Sequence, residues 1–215
     1  MRIVQVCPKY YPHIGGVEYV VKSVAESLVK KGHEVMVLAG EPRIMRPGEA
    51  LVNGVRVIRW PVRSPSGAYH IPKLRADFKD FVLKFLSDVD VVHFHNVHSI
   101  FTVYALEILT SKGEKPNRII LTPYYHGSGH TFLRRILWYW WRKHIKQLLK
   151  VIDVIHTVSK REAQLVKKDF NVEALPIENG VEEWIKSLVW RPADYVMYSG
   201  RIERYKNIHL LVKIV

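Results

Sequence analysis

Apolar residues in this chain fall into short runs separated by helical stripes. Ile3-Val4-Gln5-Val6-Cys7, closed by Pro8, predicts a buried first strand. Val17, Val20, Val21, Val24 and Leu28 then recur at helical spacing, with Lys22, Glu26 and Lys30 off that face. Lys30 and Lys31 followed by Gly32 predict the end of that helix. Residues 34–38 predict a second strand, and 40–54, with Pro42, Pro47 and Gly48, a loop. Residues 55–60 predict a third strand, and 61–72, with four prolines and glycines, a long loop. A helix over 73–87 presents Leu74, Phe78, Phe81, Val82 and Phe85 on one face. A strand over 89–93, a helix over 99–112, a strand over 118–122 and a glycine-containing loop over 123–130 follow. A long helix over 131–151, a strand over 154–158, a helix from Ser159 to near Asp169 and a short strand over 173–177 close the series. Ser159 and Glu162 have capping-box spacing, so Glu162 is expected to reach back to the N–H of its own cap. Asn179-Gly180 predicts a tight turn.

Repeated strand–helix units predict an α/β fold, a mostly parallel sheet with helices on both faces. Past Gly180 the character changes. Residues 181–194, with Trp184, Trp190 and Pro192, read as a connector. Residues 195–199 predict a new strand, and a helix starts at Asn207. The expected division is therefore a first domain over 1–180, a connector over 181–194, and the first strand–loop–helix of a second domain over 195–215. A lone unit of that kind cannot bury both of its faces. The expectation is either a piece of a two-domain protein or a tail packed on the first domain.

The first strand and first helix are joined by Tyr10-Tyr11-Pro12-His13-Ile14-Gly15-Gly16-Val17-Glu18. Gly15 and Gly16 allow backbone to come close to a ligand, and a helix N-terminus suits a phosphate. A plain turn uses the same glycines to reverse the chain. No G-x-G-x-x-G is present, which disfavours a nicotinamide site.

Composition adds bounds. With 215 residues, 48% of them apolar, the chain has the material for a sizeable core. No apolar run has membrane-spanning length, and a strand starting at residue 3 leaves no room for a signal peptide, so a cytoplasmic protein is expected. The single cysteine, Cys7, excludes an internal disulfide. The formal charge of +13 favours polyanionic or phosphorylated partners: nucleic acid, anionic lipid or nucleotide sugars.

Three constellations carry candidate chemistry. His93-x-His95-x-x-His98 invites a zinc reading, but no Asp or Cys lies between His93 and the end of the next helix and only Glu107 supplies a carboxylate there, so no metal is expected. The preferred reading puts His93 and His95 at the C-terminal edge of the sheet, where open α/β folds bind ligands. His126, beside Gly127-Ser128-Gly129-His130, could hold a sugar hydroxyl or a phosphate, or be a solvated loop residue. The helix containing Arg134 to Lys146 is basic and aromatic. Leu133, Ile136, Leu137, Trp140, His144, Leu148 and Ile152 read as its core-facing stripe, with Arg134, Arg135, Trp138, Arg142, Lys146 and Lys150 off it. Tryptophan among cations suits a lipid headgroup layer. A buried helix with a solvated basic back has the same pattern. No RNA-binding motif is present, and nucleic acid is not expected as a partner.

Six motifs in order resemble glycosyltransferase family 4, retaining enzymes of GT-B fold related to glycogen synthase and phosphatidylinositol mannosyltransferase. Tyr11 to Glu18 is similar to the family's N-terminal glycine loop, and Lys31-Gly32-His33-Glu34-Val35 to its entry to the second strand. Asp90-Val91-Val92-His93-Phe94-His95 and Val158-Ser159 resemble two further elements. Ile177-Glu178-Asn179-Gly180-Val181-Glu182 resembles the interdomain element, with Glu182 for Asp. Tyr198 to Asn207 resembles "V-G-R-L-x-x-x-K-G", with Asn207 for Gly.

The resemblance implies two Rossmann-like domains around a cleft, an acceptor-binding N-terminal one and a donor-binding C-terminal one. It implies a nucleotide-diphosphate sugar donor, a lipid-linked or saccharide acceptor, and no metal or other cofactor. Arg201 and Lys206 would neutralise the donor diphosphate, and Gly15 and Gly16 would approach the donor across the cleft. His126, with His95 and Tyr124, would line the acceptor side. Peripheral contact with the inner membrane face through the helix from Arg134 to Lys146 is a further expectation.

Two departures matter. The family's acidic E-x7-E element lies beyond residue 215, so the isolated chain is expected to be a poor catalyst without that half, in cis or in trans. In Thr122-Pro123-Tyr124-Tyr125-His126-Gly127, Tyr124 stands where relatives often have a first histidine, leaving open whether Tyr124 or His126 faces the sugar. The competing reading is a basic α/β module without chemistry, docking anionic lipid or a partner chain.

Overall fold

Runs of valine, isoleucine and leucine suit strands buried on both faces, and β1 (Arg2–Cys7) is buried from Ile3 onward. The computed structural model describes residues 1–67, 69–86, 88–111, 116–127, 132–181, 183–189, 191–200, 202 and 206–214, with backbone alone for 66 and 132–136. It divides into two compact units, Met1–Asn179 and Gly180–Val215.

In the first unit the chain runs from β1 through α1 (Gly16–Lys30), β2 (Glu34–Glu41), β3 (Gly48–Val52), β4 (Val55–Arg63) and β5 (Ile71–Pro72). It continues with α2 (Arg75–Leu86), β6 (Val91–His95), α3 (Ile100–Thr110), β7 (Arg118–Thr122) and α4 (Phe132–Leu148). It closes with β8 (Val154–Thr157), α5 (Lys160–Phe170) and β9 (Leu175–Pro176). The sheet order is β3-β4-β2-β1-β6-β7-β8-β9, with β5 on β4. All pairings are parallel except β3 and β5 on β4. This is the expected mostly parallel α/β sheet, Rossmann-like in its winding.

Val21 and Ala25 of α1 pack on Val35, Val37, Val55 and Val57. The larger cluster joins Val4, Val6, Leu38, Val92 and Phe94 to α2, α3, α4 and α5 through Phe78, Phe101, Leu106, Ile145 and Phe170. The two clusters draw on alternate strand residues, so helices cover both faces.

Several expectations need correction. The stretch 40–54 is not all loop, because β3 forms a hairpin with β4 across Asn53-Gly54, both with positive φ (51° and 81°). Such a pair favours the tight hairpin turn. Its residues Gly48 to Leu51 are exposed, which blurred the strand signal. Val24 is exposed and Ala25 takes its place inside. Leu74 precedes α2 and is exposed, with φ 51°. In α4, Leu137 and Trp140 are exposed, whereas Trp138 is buried. The indole N–H groups explain that register: Trp138 donates to the Gly127 carbonyl (3.1 Å) and Trp141 to that of Val97 (2.8 Å).

The second unit contains a 3-10 turn over Glu183–Ser187 and α6 (Ile208–Ile214). Residues 195–199 form no strand, and Tyr195, Val196 and Met197 are exposed. A strand needs a ladder partner, and the described residues of this unit include no other strand. Asn179-Gly180 makes no hydrogen-bonded turn.

Candidate functional site at the switch point of the sheet

β1 has β2 on one side and β6 on the other, so the direction of winding reverses between β1 and β6. In open parallel sheets a crevice forms there, beyond the strand C-termini. The loops after β1, β6 and β7 converge on that edge because the strands are parallel and in close register, with His95 opposite Thr122.

Gly15 is the N-cap residue of α1, with extended backbone, and Gly16 opens the helix. Positive φ is therefore not what Gly15 provides. A Cβ there would collide with the Glu18 carboxylate, while one on Gly16 would meet nothing. Glu18 thus occupies the positive end of α1, and an incoming phosphate meets this carboxylate first. The same loop is anchored by His13, whose Nε2 lies 2.7 Å from Glu41 Oε2. Arg59 donates to the Tyr11 carbonyl (2.5 Å) and lies 3.8 Å from Glu41. Burial pushes the Glu41 carboxyl up, but hydrogen bonds from His13 and the Arg43 N–H, with the charges of His13 and Arg59, pull it below its ordinary value.

His95 ends β6 and is buried. Its Nε2 meets Gln5 Oε1 at 2.6 Å, so Nε2 carries the hydrogen and Nδ1 is left as an acceptor. That Nδ1 has no protein partner among the described residues. Tyr124, 6.2 Å away between ring centroids, has φ 50° and a buried hydroxyl likewise without a partner. A left-handed tyrosine is strained, and such strain concentrates at functional sites. Burial raises the Tyr124 phenol, and buried Cys7 and Glu162 add to it.

Beside this pair runs a hydrogen-bonded chain. His156 Nε2 faces the Ile177 carbonyl at 2.9 Å, and a carbonyl only accepts. With His156 neutral, its Nδ1 accepts from the Thr122 hydroxyl (2.7 Å). Thr122 Oγ1 then accepts from His93 Nε2 (2.7 Å). Burial lowers His93 to about 3, so it stays neutral. His95 falls well below its ordinary value, chiefly by burial.

His126 lies in a different group. It is exposed and stacks on His98 at 4.3 Å, and His98 stacks in turn on Trp138 at 4.5 Å. The three motif histidines therefore do not converge: His93 and His95 stack at 4.0 Å, and His98 belongs with His126. Among the described residues no group of His, Cys, Asp and Glu is arranged to hold a metal ion. The loop that carries Tyr124 is fixed by α5. Glu162 accepts from the Tyr125 N–H (2.6 Å) and the Val158 N–H (2.9 Å), not from the N–H of Ser159 as the capping-box spacing predicted. Ser159 still caps the Glu162 N–H. The Tyr125 hydroxyl bonds to Asp169, which Arg142 pairs at 3.2 Å. Burial and the Asp169 bond push the Tyr125 phenol up to about 12.

Lys206 lies in the second unit, and Arg201 lies outside the described residues. Gln5, Glu18, Thr122 and Glu162 went unnoticed as site residues. Gln5, a polar residue inside an apolar run, left a signal in the sequence, and Glu162 was visible as a capping residue.

The family model described as Glycosyltransferase Family 4 matches residues 14–183. The chain belongs to glycosyltransferase family 4. No curated protein sequence matches it. Among solved structures it is similar to sucrose-phosphate synthase from Thermosynechococcus elongatus, with TM-score 0.65 and 18% identity over 99% of this chain and 58% of that one. It is also similar to the catalytic domain of starch synthase IV from Arabidopsis thaliana, bound to ADP and acarbose, with TM-score 0.53 and 16% identity over 83% of this chain and 51% of that one. A third similar structure, trehalose-6-phosphate from E. coli bound with UDP-2-fluoro glucose, gives TM-score 0.52 and 16% identity over 79% of this chain and 42% of that one. The family-4 chain thus spans 42% to 58% of these proteins. The shared fold is GT-B, and the first unit corresponds to its N-terminal part.

Proposed function

We propose that this chain is the acceptor-binding part, with the opening of the donor-binding part, of an enzyme that transfers a hexose from a nucleotide-diphosphate sugar with retention. The observation that carries the reading is the family match across residues 14–183. Support for the donor class comes from the relatives bound to ADP with acarbose and to UDP-2-fluoro glucose. The acceptor is a saccharide or a lipid-linked sugar. The chemistry needs no metal, because Arg201 and Lys206 neutralise charge developing on the departing diphosphate. The buried Tyr124 hydroxyl and buried, neutral His95 at the switch point suit hydroxyl groups. His126, exposed after β7, contacts the sugar from the rim. Gly15 and Gly16 approach the donor, and Glu18 swings aside for its phosphates. The domain arrangement is a first domain to residue 180, a connector to 194, and the donor domain from 195. The enzyme works in the cytoplasm and depends on a C-terminal half, in cis or in trans.

The test is sugar transfer from UDP-, GDP- and ADP-sugars to saccharide and lipid acceptors, by the 215-residue chain and by a form extended through any downstream reading frame. Transfer by the extended form, lowered at least about tenfold by Arg201→Ala, is expected. Absence of transfer by both forms overturns the reading.

A further inference from the structure

α4 is apolar on two sides. Its inner side, Trp138, Trp141, Ile145 and Leu149 just beyond it, packs into the core. Its outer side exposes Leu137 (56%), Tyr139 (50%) and Trp140 (65%). Exposed apolar residues scattered singly are ordinary. Leu137 and Trp140 stand one turn apart, and Lys143 bridges Trp140 to Tyr139, so the three line one outer surface. Lys143 Nζ lies 4.7 Å from the Tyr139 ring centroid and 5.1 Å from that of Trp140, gathering both rings beneath a cation. Lys146 is exposed on the next turn. The helix sequence, FLRRILWYWWRKHIKQL, contains five Lys and Arg and no carboxylate.

We infer that this outer face of α4 docks on an anionic lipid surface. Leucine and tryptophan enter the headgroup–acyl boundary, tyrosine sits at headgroup level, and the lysines meet lipid phosphates. No helix among the described residues is long and apolar enough to cross a membrane, so the contact lies in the interface plane. Charge decides between partners. A second copy of a chain with net charge +13 is repelled. A nucleic-acid base stacks on aromatic rings but gains nothing from exposed Leu137, which an acyl chain covers. An anionic bilayer satisfies the cations and the apolar side chains together. The inference does not depend on glycosyl transfer.

The experiment is co-sedimentation of the full chain with vesicles of phosphatidylcholine alone and of phosphatidylcholine mixed with phosphatidylglycerol. Binding is expected only to the mixed vesicles, and added salt weakens it. Trp140→Ser, Leu137→Ser and Lys143→Glu are each expected to weaken it about tenfold, with thermal unfolding unchanged. Trp140→Phe keeps binding but loses the fluorescence quenching that brominated lipid causes in the unaltered chain. Equal binding to both vesicle types, no binding to either, or substituted chains that bind like the parent each overturn the inference. So does a Trp140→Ser effect confined to dissociating a dimer, or to loss of DNA-oligonucleotide binding.

Discussion

Glu41 and Glu162 are both buried carboxylates, and each pins a loop at the switch point. Glu41 holds the loop after β1 through His13 and Arg59. Glu162 holds the loop after β7 through two backbone N–H groups. Burial pushes both carboxyls upward, yet Glu41 ends below its ordinary 4.5 and Glu162 above it. The difference is the His13 hydrogen bond, with the charges of His13 and Arg59 added to it, set against the deeper burial of Glu162. Glu41 has the His13 imidazole and the Arg59 guanidinium against it, whereas Glu162 has two uncharged dipoles and a weaker contribution from His156. One loop is held by charge and the other by geometry.

The most severe way to break this comparison is Glu162→Ala. It strands the Tyr125 and Val158 N–H groups, and a loss of about 3 kcal/mol in urea unfolding is expected. A loss below about 1 kcal/mol would mean that the loop finds other partners. Glu41→Ala is expected to cost about 2 kcal/mol, because its cations are nearer solvent. Tyr125→Phe removes one hydroxyl while Arg142 keeps Asp169, and about 1 kcal/mol is expected.

The gentlest probe is carboxyl titration by NMR, with Glu41 expected below 4.5 and Glu162 above it. The signs for stability then oppose each other. The lowered Glu41 contributes stability that is full above 4.5 and lost as pH falls through its folded value. The raised Glu162 costs stability once pH exceeds its folded value, and acidification through that value recovers it. Glu41→Gln should therefore flatten the acid limb of stability against pH, and Glu162→Gln should steepen it. His93 adds its own acid limb. Its stabilising neutrality is fully present above 6.5 and lost as pH falls from there toward about 3.

The parallel order of elements was legible because strand runs and helix stripes alternate without ambiguity up to residue 177. β3 was hidden by its exposed edge position, although Asn53-Gly54 announced the hairpin. The face of α4 was hidden because the run Leu137-Trp138-Tyr139-Trp140-Trp141 puts large apolar side chains all round the helix, leaving no single stripe. Only the carbonyls of Gly127 and Val97, distant in sequence, choose which indoles go inside. At the site, Gly15, His95 and Tyr124 were legible as types of residue at a strand end. The pairing of Tyr124 with His95, and of His126 with His98, depends on strand register and on a left-handed backbone that no local pattern specifies. Residues 195–199 carry the composition of a strand without the neighbour that would make them one.

The chain from His93 through Thr122 to His156 restricts what evolution can write at residue 122. The Ile177 carbonyl fixes the direction of donation, so this position must accept from one imidazole and donate to another through a single short atom. Among encoded side chains of that reach, threonine and serine meet the condition well, and cysteine only as a weak donor and acceptor. Valine would match the shape and leave two imidazole nitrogens facing hydrocarbon.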